Sequence, residues 1–498
     1  MQKKTEMNTV QRITKNIAVL LISRITNYIL NFLFFMYTAR YLGAKGFGIL
    51  SFALAFTGIF GVFTDLGLGQ LTIREVARNK SLASKYLANV SVMKVILAAI
   101  TFGLMIVVIN LLGYPKKTIE VVYLIALSVI FSAFTQIFNS IFQAFERMEY
   151  VSLGEILKSV LIFSGVIFVI KQEGDVISFA SLFLIASIIV LIYSLLILRW
   201  KFTNSVFTST NKLLKVNWSF WKSTIREALP FGLTSIFVTI YYRIDSVMLS
   251  LMKGNEVVGW YNAAYRLIMV LMFIPIIFQN AIFPVTSRLF KTSEESLKFV
   301  SERFFKYMII IGIPIGIGIT LLADRIILLV FGVEYTPSII ALQILVWGVI
   351  FAFIVVPFEN LFYSVNKQFI VTIEVGIAAI LNVIMNLLLI PKYSLLGASI
   401  ATTVIWIFEF FFVFIWISKT KYNISKKTVL NITLKALVSG LIMGIFILYF
   451  KSNLLITITF SVLIFFGTLY IIRGFDRNDI IIIKELILKP KTHLSRME

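Results

Sequence analysis

Long apolar runs recur along the whole chain, roughly every thirty to forty residues, and they constrain its fold more than any other feature. The hydrocarbon core of a bilayer is about 30 Å thick, so a helix that crosses it needs about 20 apolar residues. A bilayer offers no water to the backbone polar groups, and spanning segments are therefore helical. The pattern predicts an all-α polytopic membrane protein with about fourteen transmembrane helices.

Composition supports this prediction. Hydrophobic residues make up 59% of the 498 residues and charged residues only 14%, whereas soluble domains carry about 25% charged residues. The predicted spans are residues 17–39, 47–69, 87–113, 119–144, 151–170, 176–198, 229–251, 258–285, 305–331, 337–365, 368–390, 396–418, 430–450 and 452–473.

Several kinds of chemistry are excluded by the residues that are missing or rare. The chain has no Cys, which excludes disulfides and thiolate-bound metals. Its single histidine, His493, lies in the polar C-terminal tail, so we expect no histidine metal site among the spans. The sequence contains no ATP-binding P-loop motif. We therefore expect a protein without metal or cofactor that is not an enzyme. The first apolar stretch has no small-residue cleavage site, so no cleaved signal peptide is expected.

The formal net charge of +22 follows the membrane topology. With the N-terminus in the cytoplasm, the loops and tails on the cytoplasmic side carry 32 Lys and Arg residues and those on the outer side carry 9. This is the positive-inside bias, and it predicts a multi-pass protein of the cytoplasmic membrane with both termini in the cytoplasm. No nucleic-acid module interrupts the spans, so nucleic acid is not an expected partner.

An internal repeat divides the chain into two halves. Three small residues recur with the same spacing in the loops that join the first and second spans of each half, namely Gly43, Gly48 and Ala53, and Gly254, Gly259 and Ala264. Because six spans separate the copies, both have the same orientation, which is typical of parallel transporter repeats. The predicted divisions are a first lobe, a cytoplasmic linker, a second lobe, and a C-terminal helix pair with its tail, over residues 1–198, 199–228, 229–418 and 419–498.

The same loops resemble the polysaccharide-transporter branch of the multidrug/oligosaccharidyl-lipid/polysaccharide exporter superfamily. The resemblance is carried by the stretches "ARYLGAKGFGILSFA", "DLGLGQLTIREVAR", "YRIDSVMLSLMKGNEVVGWYNAAYRL" and "LLGASIATTV". It covers about the first 420 residues. It implies two six-helix lobes around a cavity that opens alternately to each side, and a cationic cavity that accepts a polyprenyl-linked phosphate or diphosphate.

Charged residues inside the spans are functional candidates because a charge in hydrocarbon is costly. Arg24 shares a helix face with Asn27 and Asn31, which predicts a stripe that lines a wet cavity. Arg243 and Arg266 lie in the first two spans of the second half. Guanidinium groups suit a diphosphate, because they offer a planar fork of donors to its oxygens. The alternative for Arg243 is a local pair with Asp245 that only holds the lobe together.

The fourth predicted span carries an uncharged polar stripe. Gln136 and Asn139 lie in it, between Ser132 and Gln143. Amide side chains offer sugar hydroxyls both a donor and an acceptor, and the alternative is hydrogen bonding between helices. In the fifth span, Glu155 and Lys158 are one turn apart, and we expect them to form an ion pair.

Acidic residues are the candidates for binding a coupling proton or Na⁺. These are Asp65, Asp245, Glu359 and Glu374. Glu359 and Glu374 could each instead pair with a basic residue across the bundle, and the sequence leaves this open.

The function expected from the sequence is the export of a lipid-linked oligosaccharide for cell-surface polysaccharide assembly. Its partners would be the lipid-linked substrate, membrane lipid and glycan-assembly enzymes. One alternative is a drug or organic-cation antiporter. A second is a membrane-embedded sugar polymerase or ligase, but the outer loops are too short to carry its catalytic groups. A lipid II-type flippase is a close variant of the first function.

Overall fold

The structure is a computed structural model of the chain, and it describes residues 9–206, 218–420, 422, 426–450, 452–476 and 479. The tail that carries His493, the first eight residues and residues 207–217 of the predicted linker lie outside this part. Helices joined by short turns make up the described residues, and no strand occurs among them. The predicted all-α class is confirmed.

Fourteen α-helices follow one another along the described chain. They are α1 (Thr9–Gly61), α2 (Leu68–Arg78), α3 (Ala83–Leu111), α4 (Lys116–Ala144), α5 (Met148–Lys171), α6 (Val176–Val206), α7 (Trp218–Lys253), α8 (Asn255–Leu271), α9 (Phe273–Thr292), α10 (Glu294–Val330), α11 (Ser338–Ser364), α12 (Gln368–Ser418), α13 (Lys426–Tyr449) and α14 (Leu454–Ile471).

Twelve helical segments of the described chain are long and apolar enough to cross a membrane. Two of them, α1 and α12, have the length of two crossings each and contain a residue with non-helical backbone, Gly43 in α1 and Ser394 in α12. Gly43 has a φ of 66°, a left-handed conformation that glycine adopts without strain. Two crossings each in α1 and α12 bring the estimate back to about fourteen. The chain is a multi-pass membrane protein.

Helix α2 occupies a stretch that the sequence predicted as a loop. Leu68, Leu71 and Val76 form its buried face and pack in one hydrophobic cluster with residues of α4 such as Phe142. Its polar face carries Arg74, which forms an ion pair of 2.6 Å with a glutamate at the start of α7. At 11 residues the helix is too short to span a bilayer. It therefore adds packing surface to the cores of α3, α4 and α6 without adding a crossing.

The chain forms two compact units. Unit 1 comprises Met1–Arg266, Val330–Ser338 and Val375–Ala401, and unit 2 comprises Leu267–Leu329, Ile339–Glu374 and Thr402–Glu498. Unit 1 thus takes in α7 together with the first six predicted spans. The predicted division at residues 198, 229 and 419 stays a prediction.

The two repeated small-residue loops pack directly against each other in unit 1. A Cβ added at Gly48 would lie 1.6 Å from the carbonyl oxygen of Asn255, and one added at Gly259 would lie 2.0 Å from that of Ala44. Only glycine permits backbones to approach this closely. Glu334 also holds the first of these loops, because its carboxylate accepts a hydrogen bond of 2.7 Å from the backbone N–H of Ala44.

Candidate functional site

A cavity of about 590 Å³, lined by apolar surface together with several polar and charged side chains, lies in unit 1 between the predicted membrane-spanning helices. Its walls come from α1, α4, α5, α6 and α7. Ligand cavities in proteins have volumes of about 300–1,000 Å³, so this cavity has the size of a small-molecule site.

Helix α1 contributes the amides predicted from its polar stripe. Asn27 and Asn31 both line the cavity. The Asn27 amide donates to a carboxylate oxygen of Glu155 at 3.5 Å, and the Asn31 amide donates to the backbone oxygen of Asn27 at 2.8 Å. Arg24 is exposed and is not among the lining residues, although its charge acts on Glu155.

Helix α4 contributes a hydroxyl and amide wall. Ser128, Ser132 and Gln136 line the cavity at intervals of four residues, which places them on one helix face. Asn139 is half-buried outside this wall. The uncharged stripe predicted for the fourth span therefore faces the cavity through its first half.

Two cations face the cavity. The Lys158 ammonium of α5 donates to the Ser132 hydroxyl at 3.1 Å. The Arg243 guanidinium of α7 donates to the backbone oxygen of Leu54 at 2.7 Å and lies against Gly58, where a Cβ would be 2.6 Å from it. Neither cation forms an ion pair with a carboxylate among the described residues.

The expected ion pair between Glu155 and Lys158 is not formed. Glu155 faces the same cavity but accepts from Asn27, and Lys158 donates to Ser132. Spacing of one helical turn permits such a pair, but a hydroxyl on the facing helix offers the ammonium a closer partner. The alternative in which Arg243 pairs with Asp245 is also not realised, because the two Asp245 oxygens accept from Tyr261 at 2.7 Å and from Asn386 at 2.6 Å.

Arg266 lies beside the cavity rather than in its wall. Its guanidinium stacks on the Phe35 ring, 3.8 Å from the ring centroid, and its buried Nε has no hydrogen-bond partner among the described residues. The charge of Arg243 acts on Arg266. The two guanidiniums therefore lie close enough to repel each other, and neither forms an ion pair with a carboxylate in the part of the chain that the structure describes.

Among the four acids predicted to bind a coupling ion, Asp65 and Asp245 lie in unit 1. Asp65 forms an ion pair of 2.5 Å with Lys94, whose side chain is fully buried. Asp245 is also buried and belongs to a hydrogen-bonded group with Tyr261, Asn382 and Asn386. Neither acid lines the cavity.

The other two predicted acids lie in unit 2. Glu374 is fully buried, and neither of its carboxylate oxygens has a hydrogen-bond partner in the described part of the chain. Glu359 is half-buried, and its charge acts on Glu374.

Sequence reasoning missed the cavity position of Lys158 and the Asp65–Lys94 pair. A buried lysine in an apolar run was the available signal for both. This signal identifies each lysine but not its partner, since the partner comes from a distant segment: the turn before α2 for Lys94 and helix α4 for Lys158.

Comparison with known proteins assigns the family. The model of the polysaccharide biosynthesis protein family matches residues 13–290. The chain belongs to this family. The resemblance seen in the loops is thereby confirmed, and the MatE family model matches residues 230–388.

Three similar proteins illustrate the relationship. A probable low-salt glycan biosynthesis flippase of Haloferax volcanii is 24% identical, over 75% of this chain and 76% of the relative. A putative O-antigen transporter of Shigella flexneri is 24% identical, over 74% of this chain and 88% of the relative. The lipid II flippase MurJ, in an inward closed conformation, aligns with a TM-score of 0.74 at 17% identity, over 92% of this chain and 99% of that structure. At this identity the structural likeness shows the fold alone.

Proposed function

We propose that this protein is a flippase for a lipid-linked oligosaccharide. It moves a polyprenyl phosphate or diphosphate that carries sugar across the cytoplasmic membrane by alternating access, for the assembly of cell-surface polysaccharide. The observation that carries the proposal is the cavity in unit 1, where Lys158 and Arg243 lie in the wall and neither forms an ion pair with a carboxylate of the described chain.

The cavity chemistry suits a phosphate-linked headgroup. An unpaired cation in a membrane protein is costly, and an anionic ligand offsets that cost when it binds. Arginine offers a fork of donors to phosphate oxygens, while lysine acts as a point charge. The cavity also holds one acid, Glu155, so its balance of charged groups is two cations to one anion.

The sugar would face the uncharged wall. Asn27, Asn31 and Gln136 each present an amide, and Ser128 and Ser132 each present a hydroxyl. Amides and hydroxyls both donate and accept hydrogen bonds, as sugar hydroxyls require. Arg24, Asn139 and Arg266 would meet the substrate only as it enters, leaves or changes its position, since they lie outside the cavity wall in this conformation.

The names of two relatives support the proposed flippase function. One relative is named as a glycan biosynthesis flippase and another as an O-antigen transporter. The excess of basic residues in alternate loops supports a cytoplasmic location of both termini. Glycan-assembly enzymes are the protein partners of such a flippase.

A drug or organic-cation antiporter is the second candidate, because the MatE model also matches part of the chain. A cationic substrate favours an acidic cavity, whereas this cavity has Lys158 and Arg243 against the single acid Glu155. The charge balance therefore favours an anionic substrate.

A binding experiment tests the proposal. The purified protein is melted in detergent with a polyprenyl-diphosphate sugar and, separately, with a panel of cationic drugs. A ligand that binds only the folded state stabilises it by RT ln(1 + [L]/Kd). We expect the lipid-linked sugar to raise the melting temperature of the wild type and not that of Lys158→Gln or Arg243→Gln.

The matched control is Lys171→Gln, because Lys171 lies at the exposed end of the same helix as Lys158. This variant should retain the full shift. Stabilisation by the cationic drugs alone would instead favour the antiporter. An equal shift with the lipid-linked sugar in all variants would mean that Lys158 and Arg243 do not bind it.

A further inference from the structure

Glu374 of α12 is a fully buried acid inside unit 2. Its side chain exposes 0% of its surface, and neither carboxylate oxygen has a hydrogen-bond partner in the described chain. Other buried polar groups of unit 2 find at least one partner: the Asn360 amide nitrogen donates to Thr286 at 3.2 Å, although its side-chain oxygen has none, and Thr403 donates to a backbone oxygen at 3.1 Å. An ionised carboxylate without partners costs far more in a protein interior than an unpaired neutral polar group does.

The charged groups that act on Glu374 are also acids. They are Glu359 from α11 and Glu409 from the second half of α12. Elsewhere along these helices, α11 and the second half of α12 pack closely, because a Cβ at Gly348 would lie 2.3 Å from the ring of Trp406. Tyr363 of α11 completes the set, since the charges of Glu359 and Glu374 both act on it. Three negative charges in one apolar region repel each other.

We propose that Glu374 is a proton-binding site, at which the carboxylate takes up one proton and becomes a neutral carboxylic acid. This accounts for a buried acid with no cation beside it and with two further acids nearby. The part that the proton takes in transport rests on the proposed function, where its release and uptake would accompany the movement of the lipid-linked substrate.

A proton fits the site better than a metal ion does. A metal needs several oxygen ligands at about 2–2.6 Å, and no group of three or more acidic, histidine or cysteine side chains among the described residues is placed to hold one. A proton needs a single carboxylate. The acids therefore act as neighbours that exchange a proton and not as a shared coordination shell.

Exposure decreases from Tyr363 through Glu359 to Glu374. Tyr363 is 39% exposed, Glu359 is half-buried and Glu374 is fully buried. Glu359 and Glu374 both lie within about 10 Å of the turn that joins α11 to α12, at 1.5 Å per helical residue. In the proposed orientation that turn is cytoplasmic. Glu359 is thus placed to pass protons between Glu374 and the cytoplasmic side.

Infrared spectroscopy of the purified protein at neutral pH tests the site without any substrate. A protonated carboxyl gives a C=O stretching band apart from that of carboxylates. We expect this band in the wild type and in Glu295→Gln, which removes an exposed acid of α10 in the same unit. Glu374→Gln should lack it. The neutral glutamine has the shape of the protonated acid, so this variant should fold.

Glu359→Gln tests whether Glu359 passes the proton to Glu374. Transfer to D₂O shifts the band to lower frequency as the proton is replaced, and this shift should be slower than in the wild type if Glu359 passes the proton. A band that is absent from the wild type, or that remains in Glu374→Gln, overturns the proposal. A band that responds to Na⁺ in place of pH also overturns it and indicates a metal ion.

The link to transport is measured in proteoliposomes with a fluorescent polyprenyl-diphosphate sugar. A pH gradient should accelerate wild-type flipping, and it should have no effect on Glu374→Gln. A gradient response retained by Glu374→Gln overturns the coupling. Failure of the wild type to flip the probe contradicts the proposed function alone, because the infrared band is read without substrate.

Discussion

Lys158 and Ser132 are joined by a hydrogen bond of 3.1 Å between α5 and α4. The bond holds the ammonium at the cavity wall and away from Glu155, which lies one turn earlier on the same helix. A positive charge is thereby kept available to an anionic ligand.

Removal of the Ser132 hydroxyl should weaken binding of the lipid-linked substrate. In Ser132→Ala the ammonium loses its acceptor, and Glu155 becomes the nearest partner one turn away. A hydrogen bond to a charged group contributes about 1.5–3 kcal/mol, and we expect the Kd for a polyprenyl-diphosphate sugar to rise roughly tenfold. Fluorescence titration in nanodiscs measures it.

Two further variants isolate the cause. Ser164→Ala removes a hydroxyl of α5 that donates to its own helix backbone at 2.7 Å, and it should leave the Kd unchanged. The double variant Ser132→Ala/Glu155→Gln should recover most of the affinity, since the competing carboxylate is gone. No recovery would mean that Glu155 does not capture the lysine.

Removal of either Asp65 or Lys94 alone should strongly destabilise the protein, because the remaining partner would be left buried and unpaired. Removing one partner of a buried pair leaves an uncompensated charge and costs about 3–5 kcal/mol. We expect Lys94→Met to lose this amount in the free energy of unfolding, and Lys94→Met/Asp65→Asn to lose clearly less. Thermal unfolding in detergent measures the difference as a double-mutant cycle.

The exposed pair of Lys116 and Glu120, with a distance of 3.9 Å, is the control. Exposed pairs contribute about 0–1 kcal/mol, so Lys116→Met should change little. Strictly additive losses in the Asp65 and Lys94 variants would contradict direct coupling.

The sequence predicted the helical class and about fourteen crossings because a bilayer imposes length and apolarity on every crossing helix. It also predicted that Asn27, Asn31, Gln136 and Arg243 line a cavity, because a polar residue in a span must face away from lipid. These four residues line one cavity in the structure.

The missed features depend on contacts between distant segments. Lys94 of α3 meets Asp65 of the turn before α2, and Lys158 of α5 meets Ser132 of α4. Local spacing instead favoured Glu155 as the partner of Lys158. Arg266, predicted to face substrate, stacks on Phe35, a contact that no spacing rule contains. Pairings of this kind are set by tertiary packing.

The glycine contact between the repeated loops should be intolerant of even one methyl group. In Gly48→Ala the new Cβ would meet the carbonyl of Asn255, so the backbones must separate. Overpacking of this kind costs about 1–3 kcal/mol. We expect a lower unfolding temperature and faster hydrogen exchange at residues 44–48 and 255–259.

Gly103→Ala is the control, because a Cβ there meets nothing within 4 Å. Alanine is favoured over glycine in a helix by up to about 1 kcal/mol, so this variant should be unchanged or more stable. Equal behaviour of the two variants would contradict the close contact.

Asp476 should make unit 2 sensitive to acid. It lies beyond α14 and pairs with Arg303 and Lys306 of α10. Partial burial alone would raise the pKa of Asp476, but the hydrogen bond from Arg303 and the nearby positive charges lower it to about 2, from 3.8. Because the folded pKa is the lower one, the stabilisation is fully present above pH 3.8 and is lost as the pH falls through about 2.

The melting temperature of the wild type should therefore exceed that of Asp476→Asn at pH 5, and the two should converge as the pH approaches 2. The carboxylate is 47% exposed, so salt screens the pair and the difference should be a few degrees at most. Intrinsic tryptophan fluorescence in detergent measures both melting temperatures from pH 5 downwards. A difference that stays constant over this range would mean that the charge of Asp476 does not stabilise the folded state.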